Sequence, residues 1–298
     1  MLNVILEENI LRDGLQSIPQ LPPFEEKVKL LDLLVQAGVQ RLQIGSFVRP
    51  DKVPQMRDTD LLARTAANLE KRCDKMVCSA LVLNGKGLSR ALTSGLHHLT
   101  ISCSLSEQHS RCNAGLSAQD ALAKTTELIR SAIRSRFTVR AGIQAAFGTN
   151  EESMPAAEVV HAAHLFVQAG ATEINLADTY GVAQPSQVYR LSKKICQTFP
   201  KTRIFLHAHG GDDRGLANVQ AALAAGVRAF DTVLGGLGGC PFAASSTHNV
   251  STQAMVDCIH SQGMHTGIDL AALSLAQEKL VTLLQRHPLS VSTMRTAA

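Results

Sequence analysis

Apolar positions recur along this chain in two alternating rhythms. A stretch with apolar residues at helical spacing, such as Val28, Leu30, Leu31, Leu33 and Leu34, ends at a glycine and gives way to a short, mostly apolar run. Ala37-Gly38-Val39 leads into Arg41-Leu42-Gln43-Ile44, and Ser94-Gly95-Leu96 into Leu99-Thr100-Ile101-Ser102. Ala169-Gly170-Ala171 leads into Glu173-Ile174-Asn175-Leu176-Ala177, and Ala225-Gly226-Val227 into Ala229-Phe230-Asp231-Thr232-Val233. The first rhythm is that of an amphipathic helix and the second that of a buried strand. Glycine closes the helix because it takes the left-handed C′ conformation without a Cβ penalty. The pattern predicts strands near 3–7, 40–45, 75–82, 98–103, 136–146, 172–178, 202–208 and 228–233. It predicts helices near 24–37, 57–72, 85–95, 117–134, 154–168, 185–197, 213–225 and 250–262.

Eight alternating units of this kind predict the α/β class and a (β/α)8 TIM barrel. An extra C-terminal helix follows from about 269 to 286, and the last dozen residues are expected to fray. An open doubly wound sheet is the alternative, but no GxGxxG follows the first strand to support it. No linker or low-complexity segment interrupts the pattern, so residues 1–298 are expected to form one catalytic domain. The polar stretch 104–116, directly after the fourth strand, is expected to be a loop, either on the substrate face or simply solvated.

Composition narrows the function. A chain of 298 residues that is 45% hydrophobic suits a globular α/β protein. Its net charge of +4 is mild and not gathered into any run, and two Tyr with no Trp offer little for base stacking. Nucleic acid is therefore not an expected partner. No run approaches the ~18–20 apolar residues of a membrane span, and the first residues lack a signal-peptide pattern. The expected address is the cytoplasm. The cysteines at 73, 78, 103, 112, 196, 240 and 258 are scattered without zinc spacing and are expected to be mostly buried small hydrophobes.

Candidate chemistry gathers at three places. His207-Ala208-His209 ends the apolar run Ile204-Phe205-Leu206. Residues i and i+2 of a strand face the same way, so two imidazoles leave the seventh strand side by side, at a spacing that suits one divalent ion. Asp13 lies just past the first strand and reaches the same rim of a barrel, and Asn249, after the eighth strand, offers an amide oxygen. Such a shell suits Mg2+ or Mn2+, while its imidazoles also admit Zn2+ or Co2+. Arg12 stands beside Asp13, either to hold a developing enolate oxygen or as a structural ion pair. Cys240 follows a glycine run, Gly235-Gly236-Leu237-Gly238-Gly239, and on a mobile loop it can deliver a proton or act as a nucleophile.

On these residues the chain resembles the hydroxymethylglutaryl-CoA lyases, within the wider superfamily of barrel metallolyases and Claisen condensing enzymes. The motifs that carry the likeness are Leu11-Arg12-Asp13-Gly14-Leu15-Gln16, Gly45-Ser46-Phe47-Val48, Leu176-Ala177-Asp178-Thr179, His207-Ala208-His209 and Gly236-Leu237-Gly238-Gly239-Cys240-Pro241-Phe242. The last is highly specific; the condensing synthases usually carry Gly-Glu-Arg there. The resemblance implies a divalent metal on Asp13, His207, His209 and Asn249. It implies retro-Claisen cleavage of a 3-hydroxy-3-carboxymethyl acyl-CoA that releases acetyl-CoA. Arg12 would hold the enolate, Cys240 would help protonate it, and Asp13 and His207 are the acid/base candidates. Glu8, Gln16, Gln43 and Ser46, with Asn175, Asp178 and Thr179 from the sixth strand, would meet the substrate. A homo-oligomer is expected from the likeness alone.

Three departures point to an altered acyl group. The lyases have Glu where this chain has Gln43, Ser where it has Asn175, and Asp where Gly210 follows His-x-His. Glutamine at 43 is neutral and adds a donor, which favours a substrate with an acceptor at that wall. The other readings are a condensing acyltransferase or keto-acid aldolase on the same scaffold, and a non-catalytic paralogue that binds an acyl-CoA or metabolite.

Overall fold

The computed structural model describes residues 3–73, 75–239 and 248–286. Cys240 and the expected frayed end lie outside the described residues. Eight strands pair in parallel and in chain order: β1 (Ile5–Glu8), β2 (Arg41–Ser46), β3 (Val77–Val82), β4 (His98–Ser104), β5 (Thr138–Gln144), β6 (Glu173–Ala177), β7 (Arg203–His207) and β8 (Ala229–Thr232). The barrel closes through β8 against β1, with Ile5 opposite Ala229 and Glu8 opposite Thr232. The helices are α1 (Leu15–Ser17), α2 (Phe24–Gln36), α3 (Thr59–Glu70), α4 (Gly85–Ala91), α5 (Glu107–Ala114), α6 (Ala118–Arg134), α7 (Ala156–Gln168), α8 (Pro185–Thr198), α9 (Leu216–Ala224), α10 (Thr252–Ser261) and α11 (Leu270–Arg286). The closed barrel and the extra terminal helix α11 are those expected, and the open sheet is excluded.

The four glycine stops adopt φ of +85°, +84°, +107° and +103° at Gly38, Gly95, Gly170 and Gly226, the left-handed conformation that ends a helix and turns the chain into the next strand. One expectation fails. The stretch 104–116 is not a loop but holds α5. Ser106 caps it by accepting from the His109 amide, and Gly115 ends it at φ +67°. These caps sustain a helix whose composition is too polar to show an apolar stripe. Of the six described cysteines, Cys78, Cys103 and Cys258 are buried, Cys73 and Cys196 are half-buried, and Cys112 is exposed. Among the described residues no helix is long and apolar enough to cross a membrane.

Apolar side chains fill the layer between strands and helices, with Leu30, Leu31, Leu42, Ile44, Phe166 and Phe230 all fully buried. The lower barrel interior is different, because it holds charge. Arg41 Nε pairs with Glu7 Oε2 at 3.0 Å and its two terminal nitrogens grip Glu173. Arg140 bridges Glu7 Oε1 at 2.9 Å and Asp231 Oδ1 at 2.6 Å, and Arg203 reaches Glu173 at 2.7 Å. The Phe205 ring lies between the Arg41 and Arg140 guanidiniums, at 5.0 and 4.7 Å, a cation–π sandwich. Asp231 is the top of this network, and it hands the structure on to the site above.

Candidate active site

At the C-terminal rim, β7 ends on His207, and His209 lies two residues on, bridged to Asn249. Alternation turns both rings the same way. His207 Nδ1 lies 3.0 Å from Asp231 Oδ2, and His209 Nδ1 lies 3.1 Å from the Thr179 carbonyl oxygen. A carboxylate and a carbonyl only accept, so each Nδ1 carries the hydrogen. Both Nε2 atoms then present lone pairs, and they face each other at 3.0 Å. Asp13 Oδ2 lies 4.0 Å from His207 Nε2. Burial and the neighbouring His207 push the His209 pKa down to about 4, against the opposing pull of Asp13 and the Thr179 carbonyl. The donor set fits a divalent ion, and ligand atoms of Asp13, His207 and His209 all lie within 4.8 Å of one another.

Asp13 reaches this point because the chain winds tightly after β1. The Asn9 carbonyl accepts from the amides of Arg12, Asp13 and Gly14 at 3.0, 2.8 and 3.4 Å, which throws Arg12 and Asp13 together into the mouth. Their side chains form an ion pair. Burial raises the Asp13 carboxyl, but Arg12, His207, His209 and the Asn249 amide outweigh it and hold the group below its ordinary value. Asn249 Nδ2 donates to Asp13 Oδ2 and to the Leu237 carbonyl, each at 2.8 Å. Its nitrogen, rather than its oxygen, therefore faces Asp13. Gly238 packs against both groups at φ +106°, where an added Cβ would fall 2.3 Å from Asn249 Nδ2 and 2.9 Å from Asp13 Oδ2.

Beneath the rings lies a cavity of about 170 Å³ lined by Arg12, Gln16, Gln43, Asn175, Thr179 and Arg140 among others, with Gly239 at its edge. A groove of about 710 Å³ between β3, β4, α5 and α6 adjoins it and shares Leu83, Ser102, Asn113 and Gln144. Arg12, Asp13, Gln16, Gln43, Asn175, Thr179, His207 and His209 thus meet at one cavity, with Asn249 touching Asp13. Cys240 lies outside the described residues, one residue beyond Gly239.

Three residues expected at the substrate have other tasks. Glu8 is fully buried, and its carboxylate accepts from the amides of Ile10 and Leu234 at 2.8 and 3.0 Å and from the Thr252 hydroxyl. It ties the turn after β1 to the end of β8 and the start of α10. Burial outweighs these bonds and pushes its pKa up to about 7. Ser46 donates to the Leu81 carbonyl, and Asp178 accepts from the Val182 and Ala183 amides at 3.0 and 3.2 Å. None of the three is part of the cavity wall, because the backbone amides and carbonyls around them claim their polar atoms.

Gln43 also differs from expectation. Its Oε1 accepts from Arg12 Nε and its Nε2 donates to Thr100 Oγ1 at 2.9 Å. The extra donor that glutamine brings goes to Thr100 rather than outward. Two residues that sequence reasoning passed over, Arg140 and Asp231, support the site from below. Arg140 and His207 hold Asp231 below the ordinary carboxylate range despite its burial. The signal available was a charged residue inside an apolar strand run, as in Phe230-Asp231-Thr232.

Comparison with known proteins agrees with this geometry. The HMGL-like family model matches residues 3–280. The chain is 38% identical over 282 residues to the (R)-citramalyl-CoA lyase of Chloroflexus aurantiacus, covering 92% of this chain and 89% of that protein. It is 32% identical over 266 residues to a hydroxymethylglutaryl-CoA lyase of Bacillus subtilis, covering 88% and 87%. The solved structure of an HMG-CoA lyase from Acinetobacter baumannii, in complex with coenzyme A and 3-methylmalate, superposes with a TM-score of 0.86 at 30% identity, over 99% of this chain and 97% of that one. These relatives are carbon–carbon lyases of acyl thioesters, and the chain belongs to the HMGL-like family.

Proposed function

We propose that this protein is a divalent-metal-dependent retro-Claisen lyase whose acyl-CoA substrate is of the citramalyl type, with the carboxylate directly on the C3 carbon. The observation that carries the metal is the pair of Nε2 lone pairs turned on each other beside Asp13. Asp13, His207 and His209 would hold the ion, and Asn249 would complete the shell with its amide turned so that the oxygen faces inward. Mg2+ or Mn2+ suits the oxygen ligands best, with Zn2+ or Co2+ admitted by the imidazoles. Bound there, the metal supplies Lewis acidity that eases removal of the C3 hydroxyl proton.

The chain's own residues do the rest. Asp13 would accept the hydroxyl proton on the carboxylate oxygen the ion leaves free; His207, expected as a second acid/base group, has Nδ1–H on Asp231 and Nε2 toward the ion and would serve as a ligand instead. The C3–O pair then forms a carbonyl, the C2–C3 bond breaks, and its electrons move onto the thioester as an enolate. Arg12 holds the enolate oxygen. Cys240 returns a proton to C2, which gives acetyl-CoA and a 2-oxo acid. The groove beside the cavity leaves room for the pantetheine arm. The neutral Gln43 supports the shorter acid. A glutamate there would set a full charge against Arg12, whereas Gln43 leaves that guanidinium as positive wall for a carboxylate held close to C3. The relative that cleaves citramalyl-CoA supports the same reading. A homo-oligomer is proposed on the family likeness alone, and a single domain with a cytoplasmic address on the reading of the sequence.

Hydroxymethylglutaryl-CoA itself is the second reading, favoured by the Bacillus relative. Incubation of metal-loaded protein with each thioester separates the two. The expected result is acetyl-CoA with pyruvate from citramalyl-CoA, at a kcat/KM well above that for hydroxymethylglutaryl-CoA. Efficient release of acetoacetate with no pyruvate would reverse the assignment.

A further inference from the structure

At the N-terminal end of the barrel, opposite the histidine rim, lies another cavity, of about 460 Å³. Arg41, Val77 and Arg203, the first residues of β2, β3 and β7, line it together with the start of β1 and the segment before α11. Its charged and protonatable side chains are Arg41, Lys75, Arg203 and His265, and among the described residues no carboxylate lines it. Cavities of about 300 and 240 Å³ adjoin it, the first sharing Lys75 and the second Arg203, and neither has an acidic wall residue among those described. The cavity under the histidines and the groove beside it differ in this respect, since Asp13 lines one and Glu127 the other. Arg203 is about half exposed and directs one N–H to Glu173 Oε1 at 2.7 Å. Arg41 is buried and directs one to Glu7 and two to Glu173. A guanidinium has five N–H donors, so both keep some in hand. The Lys75 side chain is exposed and has no ion pair or hydrogen bond among the described residues. Asp269, next to Ile268 in the wall, is occupied elsewhere, its Oδ1 accepting from the Ala271 and Ala272 amides at 2.8 and 3.3 Å.

We propose that this cavity binds a small organic anion with two or more negative charges, a phosphate monoester or a polycarboxylate, held by Arg203 and Lys75 with Arg41 behind them. A concave wall of one sign focuses its field into the space it encloses and gathers ions of the other sign. The planar fork of a guanidinium matches the oxygens of a phosphate or a carboxylate alike, and the volume is that of a small-molecule site. Val77 and Ile268 give the carbon body of such a ligand an apolar surface, and Gln40 and Thr266 offer partners for its hydroxyls. The cavity lies across the barrel from His207 and His209, so it is distinct from the thioester site, and the proposal does not depend on the lyase reading.

The test is titration calorimetry on the metal-loaded protein, which needs no turnover. Its probes are glycerol 2-phosphate and tricarballylate, added to wild type, Lys75→Gln, Arg203→Gln and Arg12→Gln. Wild type should bind at least one of them. Lys75→Gln and Arg203→Gln should each weaken that binding by about tenfold, the scale of one hydrogen bond to a charged group. Arg12→Gln, altered at the opposite end of the barrel, should leave it unchanged. Tighter binding of the glycerol phosphate would identify the ligand as a phosphate ester, and tighter binding of tricarballylate as a polycarboxylate. Lys75 has no side-chain bond to lose among the described residues, so its variant carries the test if Arg203→Gln, which loosens Glu173, does not fold. No binding of either probe by wild type at millimolar concentration overturns the proposal. So does an affinity unchanged in either folded variant, or one lost in Arg12→Gln, which would place the probe in the upper cavity.

Discussion

Two polar clusters share the barrel interior and meet at Asp231. In the lower one, Glu7, Glu173 and Asp231 face Arg41, Arg140 and Arg203, with every charge in contact with an opposite one. In the upper one, two imidazole nitrogens face each other beside a carboxylate, and among the described residues the cation in contact, Arg12, bonds the Oδ1 oxygen of Asp13 and the neutral Gln43. The lower cluster has its charges paired within the folded chain. The upper one is completed only by something that binds. The same residue types therefore report differently when altered: below, through stability; above, through metal affinity and turnover.

The sharpest way to expose the contrast is at the rings. His207→Ala and His209→Ala should each remove most bound metal, read by elemental analysis, and lower turnover by at least ~10²–10⁴-fold. The unfolding free energy of the metal-free protein should change little by comparison. Unaltered metal stoichiometry in both variants would end the site assignment. Below, Arg140→Met strands Glu7 and Asp231 without their shared cation. Denaturant unfolding should show a loss of about 3–5 kcal/mol, the scale for breaking a buried ion pair from one side. A variant as stable as wild type would mean the network is not self-contained.

Arg12→Lys keeps the charge but loses the planar fork that spans Asp13 and Gln43. Turnover should fall by ~10²–10³-fold while the melting temperature barely moves; the reverse pattern would make Arg12 part of the structural cluster. Glu8 sits between the two regimes. Its folded pKa of about 7 lies above the ordinary 4.5, so its contribution to stability is fully present below about pH 4.5 and is lost as pH rises through 7. By linkage, at about 1.4 kcal/mol per unit, roughly 3 kcal/mol is at stake. Glu8→Gln should flatten the stability profile across that window, and a profile identical to wild type would refute the burial argument. The smallest effect is expected at position 43. Gln43→Glu should raise kcat/KM for hydroxymethylglutaryl-CoA by about tenfold, one hydrogen-bond-sized step, and loss of that activity instead would show that the neutral residue is not what disfavours this substrate.

Much of the fold was legible because helix, glycine stop and strand repeat with little noise, and the left-handed φ at Gly38, Gly95, Gly170 and Gly226 is the physical origin of that repeat. α5 was not, since its sequence is polar on every side and only the caps Ser106 and Gly115 mark it. In the site, the alternation of a strand brought out His207 and His209, and position after a strand brought out Asp13. What escaped notice depends on partners distant in sequence. Gln43 spends its amide on Arg12 and Thr100, Asp231 supports His207 across the β7–β8 pair, and Glu8 ties together three segments that no spacing rule connects.

The glycine at 238 has a consequence for how this protein can change over time. Its missing side chain is the space that Asn249 and Asp13 occupy, so the run Gly235–Gly239 and the proposed ligand set are not separate inheritable traits. A substitution at 238, chosen by an engineer to stiffen or recolour the loop, would register first as a defect in cofactor loading. Diversification of this mouth is therefore channelled away from 238, to parts of the wall whose side chains touch neither Asp13 nor Asn249.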